Sequence, residues 1–394
     1  MVRPRFSVVL PTKGRPKLTA IVVASVLTQE CDSFEMILVD NDDDAATHDG
    51  VACWMTDPRF RYVRTGGLDM VENWRAGLEH ASGEFLIWMD SKTVLYPGAL
   101  RRIDRYLGEH ADAEAIVWNY DFVLDTARDR YLIEIDGGED RVEPSSVVLD
   151  QFLEKRMHRP TWASLPRGVC SAIALTTVRR AEEEFDGPFF DYYSPDVVAA
   201  LKVLTCADSV YYIGDVLSCV VSTKVSNGRN FGMRRQDASH YSASGRRDAP
   251  FQIRKAPLKN PNMISNLVAD DIEVTLGGHD GVVYWKKWKS AYVNSVYREI
   301  GAGIGRNGLI YSRSELKEFW DFAGWSPGSY LITLRRIIFH RAIALHDALP
   351  SRAKRLIGKL RVSAGKGHPT QIVEIDSGVD VYDFIVARHA AATS

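Results

Sequence analysis

The stretch Phe34–Asp44, "FEMILVDNDDD", decides the fold. The near-continuous apolar run Phe34–Val39 ends at Asp40 in a cluster of polar residues. A short apolar run closed by turn formers is the pattern of a strand buried on both faces. Outward from it the pattern repeats. Phe6–Leu10 closes at Pro11-Thr12, Phe60–Val63 is a third run, Phe85–Met89 closes at Asp90-Ser91, and Ala115–Trp118 is a fifth. Between the runs lie helical periodicities over Pro16–Gln29, over Asp69–Ala81 (stopped by Ser82-Gly83), and over Pro97–Gly108 with Pro97 in its first turn. This alternation predicts an α/β fold, a three-layer and mostly parallel sheet. Ligands of such sheets bind beyond the carboxyl ends of the strands, so Pro11, Asp40 and Asp90 are expected at one sheet edge.

The alternation stops near residue 120. Tyr120–Asp136 reads as a hairpin, Ser194-Pro195-Asp196 as the start of a helix with Ser194 as N-cap, and Val210–Val221 as a strand. A loop-rich stretch around 222–250 predicts a boundary, with residues 1–225 as one domain and 226–394 as a mainly helical region. Helical patterns there cover Pro261–Leu276, Trp285–Glu299 and Arg313–Phe322, with Trp285 and Trp288 expected to pack between helices. Within 331–366, nine Lys/Arg face one acid, Asp347, among interleaved Leu and Ile. That segment reads either as a solvated helical pair or as a basic amphipathic surface for an anionic membrane or acceptor.

Composition narrows the function. The net charge of −2 argues against a chain built to bind polyanions, so nucleic acid is not an expected partner. No apolar run is long enough for a transmembrane helix, and the first residues lack the apolar core of a signal peptide. The five cysteines are dispersed without a CxxC pair, which reads as reduced thiols in the cytoplasm and excludes a zinc cluster by spacing. The single glycine of "PTKGRP" is no phosphate-cradling loop, which argues against a nucleotidyltransferase.

Three motifs, "FSVVLPTKGRP", "SVLTQECDSFEMILVDNDDD" and "NWRAGLEHASGEFLIWMDSK…YPGAL", occur in order and resemble the family 2 glycosyltransferases of the GT-A fold. The resemblance is dense over residues 5–105. It continues through "DYYSPDVVAAL" and "IGDVLSCVVSTKVSNG", so about 220 residues match in order. It implies a nucleotide-sugar-binding domain and inverting transfer of a sugar from a nucleoside-diphosphate sugar, a UDP-sugar first. The implied acceptor is a hydroxyl of a glycan, lipid-linked glycan or protein, within polysaccharide biosynthesis.

The residues support specific roles. Pro11, Thr12, Asp40, Asn41 and Asp42 lie at strand ends suited to base and ribose. The resemblance puts the base-reading carboxylate at Asn41, whose amide oxygen can also accept from an imide N–H. Asp40–Asp44 can equally cap a helix starting near Ala45. Arg75 can reach a diphosphate or lie on a solvated helix face. Trp118 and Tyr120 are candidates for the acceptor cleft, and Trp88 for the core. In the family's acidic motif before a helix, Asp196 stands where the general base belongs, with Asp191 as second choice.

The departure from the family lies in "LIWMDSKT", Leu86–Thr93. Where relatives usually carry two carboxylates, one toward the ribose and one on a divalent metal, this chain has Ser91 and Lys92. An ammonium repels a metal but binds phosphate oxygens as a point charge. Lys92 is therefore expected to replace the metal, with no cofactor required. If an ion binds, Mn2+ or Mg2+ at Asp90 is the expected case. His240, where some relatives hold a metal, is not expected to do so. The competing reading is a decayed site in a silent nucleotide-sugar binder or scaffold.

Overall fold

The computed structural model describes residues 3–125, 130–155, 165–222, 253–259, 263–302, 304–305, 308–309, 313–323, 338, 371–375, 380–381, 383–385 and 387. The chain opens with β1 (Phe6–Thr12), α1 (Pro16–Leu27), β2 (Phe34–Asp40), α2 (Ala46–Gly50), β3 (Phe60–Arg64), α3 (Met70–Glu79), β4 (Phe85–Trp88), β5 (Thr93–Leu95) and α4 (Ala99–Glu109). Then come β6 (Ala115–Asp125), β7 (Arg130–Glu134), β8 (Arg141–Pro144), α5 (Ser145–Lys155), β9 (Ser171–Ala174), α6 (Leu175–Glu184), α7 (Pro195–Cys206) and β10 (Ser209–Ser222). The later elements are α8 (Ile264–Asp280), α9 (Trp285–Ala302), a short pair β11 (Ile304–Gly305) and β12 (Gly308–Leu309), α10 (Arg313–Ala323) and β13 (Gln371–Glu374).

One sheet runs β13-β7-β6-β9-β4-β1-β2-β3, with β10 beside β6 and carrying β5 and β8. Strands β3, β2, β1 and β4 are mutually parallel. Register pairs Thr12 with Asp40, Asp40 with Arg64, and Val9 with Trp88. Pro11, Asp40 and Asp90 therefore emerge at one edge, as the alternation predicts. Strands β1, β2 and β4 are almost wholly buried because helices cover both faces, α1 and α4 on one, α3, α6 and α7 on the other, whereas β3 at the end of the sheet stays partly exposed. Gly77 sets the spacing of α3, since a Cβ there would lie 2.7 Å from Val9 Cγ1.

Several boundaries differ from the sequence reading. Asp69 is not the first residue of α3 but its N-cap. It accepts from Glu72 N at 2.8 Å while Glu72 Oε2 accepts from Asp69 N at 2.9 Å, a reciprocal capping box. Pro97 precedes α4, because Gly98 at the N-cap takes a left-handed φ of 79°. Strand β6 runs on to Asp125 because its second half pairs with β7 in the expected hairpin. Ser194 occupies the N-cap of α7, but its side chain makes no capping bond.

Beyond 225, the described residues include α8, α9 and α10, the short pair β11–β12 and β13. Helix α8 packs against α7, and α9 against α5. Trp288 is buried there, donating through its indole N–H to Glu273 Oε1 at 2.9 Å. Strand β13 pairs antiparallel with β7 and so extends the N-terminal sheet. Apart from Ile338, segment 331–366 lies outside the described residues, as does His240. Among the described residues, no helix is long and apolar enough to cross a membrane.

Candidate functional site

The carboxyl edge of the parallel strands is built first by residues that hold one another. Asp40 is fully buried, accepting from Tyr62 OH at 2.5 Å and from the Asp42 backbone at 2.9 Å. The Asp42 carboxylate accepts from Thr47 Oγ1 at 2.5 Å and from Gly14 N, which fixes the left-handed turn after β1. Thr12 Oγ1 pairs with Thr19 Oγ1 at 2.6 Å. Asn41 differs from expectation. Its amide nitrogen donates to Leu68 O at 2.7 Å and its oxygen accepts from Leu68 N at 3.0 Å, so both polar atoms serve the backbone. Asp44 stands one residue before Ala45, the N-cap of α2, and its carboxylate accepts from Ala46 N at 2.9 Å.

The rim of the edge is charged and partly open. After β4 the chain turns on Asp90, whose Oδ1 accepts from Lys92 N and Thr93 Oγ1, each at 2.9 Å. The Lys92 ammonium folds back to 3.0 Å from Asp90 Oδ2. Burial pushes the Asp90 carboxyl up, but the Lys92 ammonium and these hydrogen bonds outweigh it and hold it below the usual carboxylate range. Arg15, from the turn after β1, donates to Ser91 Oγ at 3.2 Å.

Sequence reasoning missed Arg167. Its guanidinium lies 3.8 Å from Asp196 Oδ2 and 3.5 Å from Tyr120 OH. Burial lowers its pKa, and the nearby Tyr120, Asp196, Cys170 and Asp90 raise it by more. Arg167 thus couples the Asp90 turn to the head of α7. It reaches this place because Gly168, with a φ of 91°, lets the segment cross β4. A Cβ there would sit 2.8 Å from Trp88 Cβ. The only local hint is the Arg-Gly pair in "LPRGVC".

Asp196 is in the first turn of α7, half-buried and facing Arg167. Asp191 is an ion-pair partner. Its Oδ1 accepts from Arg75 at 2.7 Å, while Arg75 Nε donates to Phe190 O at 2.9 Å. Arg75 is therefore neither at the Asp90 turn nor on a solvated face; it clamps the loop before α7. Trp118 is corrected as well. It is buried in the core and donates to Ser218 Oγ at 3.1 Å, so it cannot line an acceptor cleft. Tyr120 lies half-buried beside Arg167, and Trp88 is core against Trp74 and Phe190.

These residues do not fit a divalent ion. The Lys92 ammonium occupies one flank of Asp90, and Ser91 Oγ is bonded to Arg15. Among the described residues, no group of three or more His, Cys, Asp or Glu is placed to hold a metal.

The strand order and the helices on both faces give a mixed α/β fold of the GT-A type. The family model described as "Glycosyl transferase family 2" matches residues 7–173, so this part of the chain is similar to that family. Curated relatives include the PGL/p-HBAD biosynthesis glycosyltransferases of Mycobacterium bovis and Mycobacterium tuberculosis. They are 24% identical over 119 residues, covering 29% of this chain and 46% of theirs. The chain thus spans about half the length of the curated relatives it matches. Among solved structures, S. aureus TarS 1–349 in complex with UDP-GlcNAc is similar in fold, with a TM-score of 0.52 and 13% identity over 95% of this chain and 100% of that one. A second is the mannosyltransferase PcManGT from Pyrobaculum calidifontis in complex with GDP-Man and Mn2+, with a TM-score of 0.40 and 16% identity over 88% of each chain.

Proposed function

We propose that this chain is an inverting glycosyltransferase that moves a sugar from a nucleoside-diphosphate sugar, a UDP-sugar first, to a hydroxyl of a glycan, lipid-linked glycan or protein. The observation that carries the reading is the row of opposite charges Lys92, Asp90, Arg167 and Asp196 along the rim of the parallel edge. Asp196 takes the proton of the acceptor hydroxyl. The freed oxygen attacks the anomeric carbon from the face opposite the diphosphate. The bond from that carbon to the diphosphate oxygen breaks, and its electron pair leaves with the phosphate. Lys92, with Arg15 and Arg167, supplies positive charge where that negative charge collects. Pro11, Thr12, Asp40, Asn41, Asp42 and Ser91 shape the donor edge, and Tyr120 stands on the acceptor side of Arg167.

The five free cysteines support a cytoplasmic location, and the basic composition of 331–366 supports peripheral membrane contact. One observation favours the silent binder. Lys92 is already neutralised by Asp90 at 3.0 Å, so a diphosphate must compete for it. The deciding experiment screens UDP, GDP, dTDP and CMP sugars for nucleotide release, beside Asp196→Asn. Turnover that falls in the variant supports the enzyme; nucleotide binding without turnover across the panel supports the silent binder.

A further inference from the structure

The loop that delivers Asp196 is held along its whole length, and its last hold comes from the C-terminal region. Lys202 donates to Pro188 O at 2.7 Å, Glu182 accepts from Phe189 N at 3.3 Å, and Arg75 secures Phe190 and Asp191 as above. Those anchors lie on α3, α6 and α7. Beyond Tyr192, whose N–H turns back to Asp191 Oδ1, Tyr193 and Ser194 donate their backbone N–H groups at 3.3 and 3.1 Å to the two oxygens of Asp271 on α8. Asp271 is buried, as is its neighbour Asp270. Asp270 in turn gathers the backbone N–H groups of Arg254, Lys255 and Ala256 onto one oxygen, at 2.9, 2.5 and 2.8 Å.

Two adjacent acids buried on one helix carry a heavy desolvation cost unless they are bonded. Here each collects consecutive backbone donors from a different segment. Helix α8 therefore joins the 254–256 segment to the loop leading into α7, and Ser194 is two residues from Asp196. Lost acceptors would leave two part-buried N–H groups unpaired and free the loop to re-seat the head of α7.

We propose that Asp271 is a positioning residue for Asp196: through the Tyr193 and Ser194 amides it sets where the candidate base stands, which makes the C-terminal helix part of the active site. The inference rests on the reading of Asp196 as the base. Asp271 touches no substrate and acts only through the loop. A misplacement on the order of 1 Å is enough to cost about 100-fold in rate, so the effect belongs in kcat rather than in donor affinity.

The test is a double-mutant cycle on the full chain, with turnover measured on whichever UDP, GDP, dTDP or CMP sugar is accepted, joined to amide hydrogen exchange. Asp271→Ala is expected to lower kcat by about 10- to 100-fold with little change in donor KM. Asp271→Asn, which keeps a carbonyl acceptor, is expected to lie between it and wild type. In the Asp196→Asn background, Asp271→Ala is expected to cost almost nothing further. Hydrogen exchange in Asp271→Ala should quicken at Tyr193 and Ser194 while β1–β4 stay protected, a result that needs no turnover. The proposal is overturned if exchange at those amides is unchanged. It is also overturned if Asp271→Ala costs the same factor with and without Asp196, or if KM rises while kcat holds. Full activity in Asp196→Asn alone would instead remove the base assignment, a different failure that the single variant reveals.

Discussion

The ends of β1 and β2 and the rim beyond β4 both gather polar side chains, but put them to different uses. At the ends of β1 and β2, Thr12, Asp40, Asn41 and Asp42 direct their side-chain hydrogen bonds inward, to Thr19, Tyr62, Leu68, Thr47 and Gly14. Beyond β4, Asp90, Lys92, Arg167 and Asp196 pair with one another across longer gaps and keep part of each side chain open. The strand ends are thus a frame whose bonds are already made. The rim is a set of charges whose partners a ligand can replace. On this account a substitution in the frame should act on stability, and one in the rim should act on rate.

The largest effect that sharpens this contrast belongs to Asp196. Removing a general base costs roughly 10²- to 10⁴-fold, so Asp196→Asn should lose kcat by that factor with its fold intact by circular dichroism. An unaffected kcat would move the base elsewhere. Next comes Lys92. Lys92→Ala removes a charge-assisted contact to the leaving diphosphate and should cost on the order of 100-fold in kcat. Lys92→Asp should not yield a good metal enzyme, because among the described residues no group is placed to complete a coordination shell. An Mn2+-dependent, highly active Lys92→Asp enzyme would break the reading of the rim.

In the frame the expected loss is stability. Asn41→Ala strands the N–H and C=O of Leu68, at about 1–3 kcal/mol for a buried unsatisfied group. Urea unfolding should show this, while nucleotide affinity of the folded protein changes by less than about tenfold. A selective loss of nucleotide binding at unchanged stability would return Asn41 to base recognition.

Asp271 adds a pH signature. Burial, with Asp270 and Asp196 nearby, pushes its carboxyl up to about 8 against the pull of the Ser194 and Tyr193 donors. The folded chain therefore keeps this proton to about pH 8, while the unfolded chain sheds it near pH 4. Between those values the folded state binds more protons, so stability falls as pH rises, by up to about 1.4 kcal/mol per pH unit from this group, and levels off above. Asp271→Asn cannot ionise and should flatten that slope in urea titrations at successive pH values. An unchanged slope would mean the group titrates normally.

The parallel half of the fold was legible because each buried strand is one apolar run and each helix one periodicity. Phe34–Val39 and Pro16–Gln29 fall within a residue or two of β2 and α1. The start of α4 was less so: Pro97 suits a first turn, but Gly98 takes a φ that ends any earlier helix. Residue types at the site were legible wherever a strand end displayed them, as at Asp90 and Lys92. Partnerships were not. Arg75 meets Asp191, Arg167 meets Asp196, and Asp271 meets Tyr193 and Ser194 across long sequence separations that leave no periodic trace. Trp118 shows the converse. An aromatic residue at a strand end looks like a sugar platform until its indole is found bonded inside the core.

The smallest expected effect bears most directly on the central claim that Lys92 takes the place of a metal. Nucleotide release from the accepted donor should be the same in excess EDTA as in Mn2+ or Mg2+, and in both conditions it should fall about 100-fold in Lys92→Ala. Turnover abolished by EDTA, restored by Mn2+ and indifferent to Lys92→Ala would contradict the claim and place a metal at Asp90.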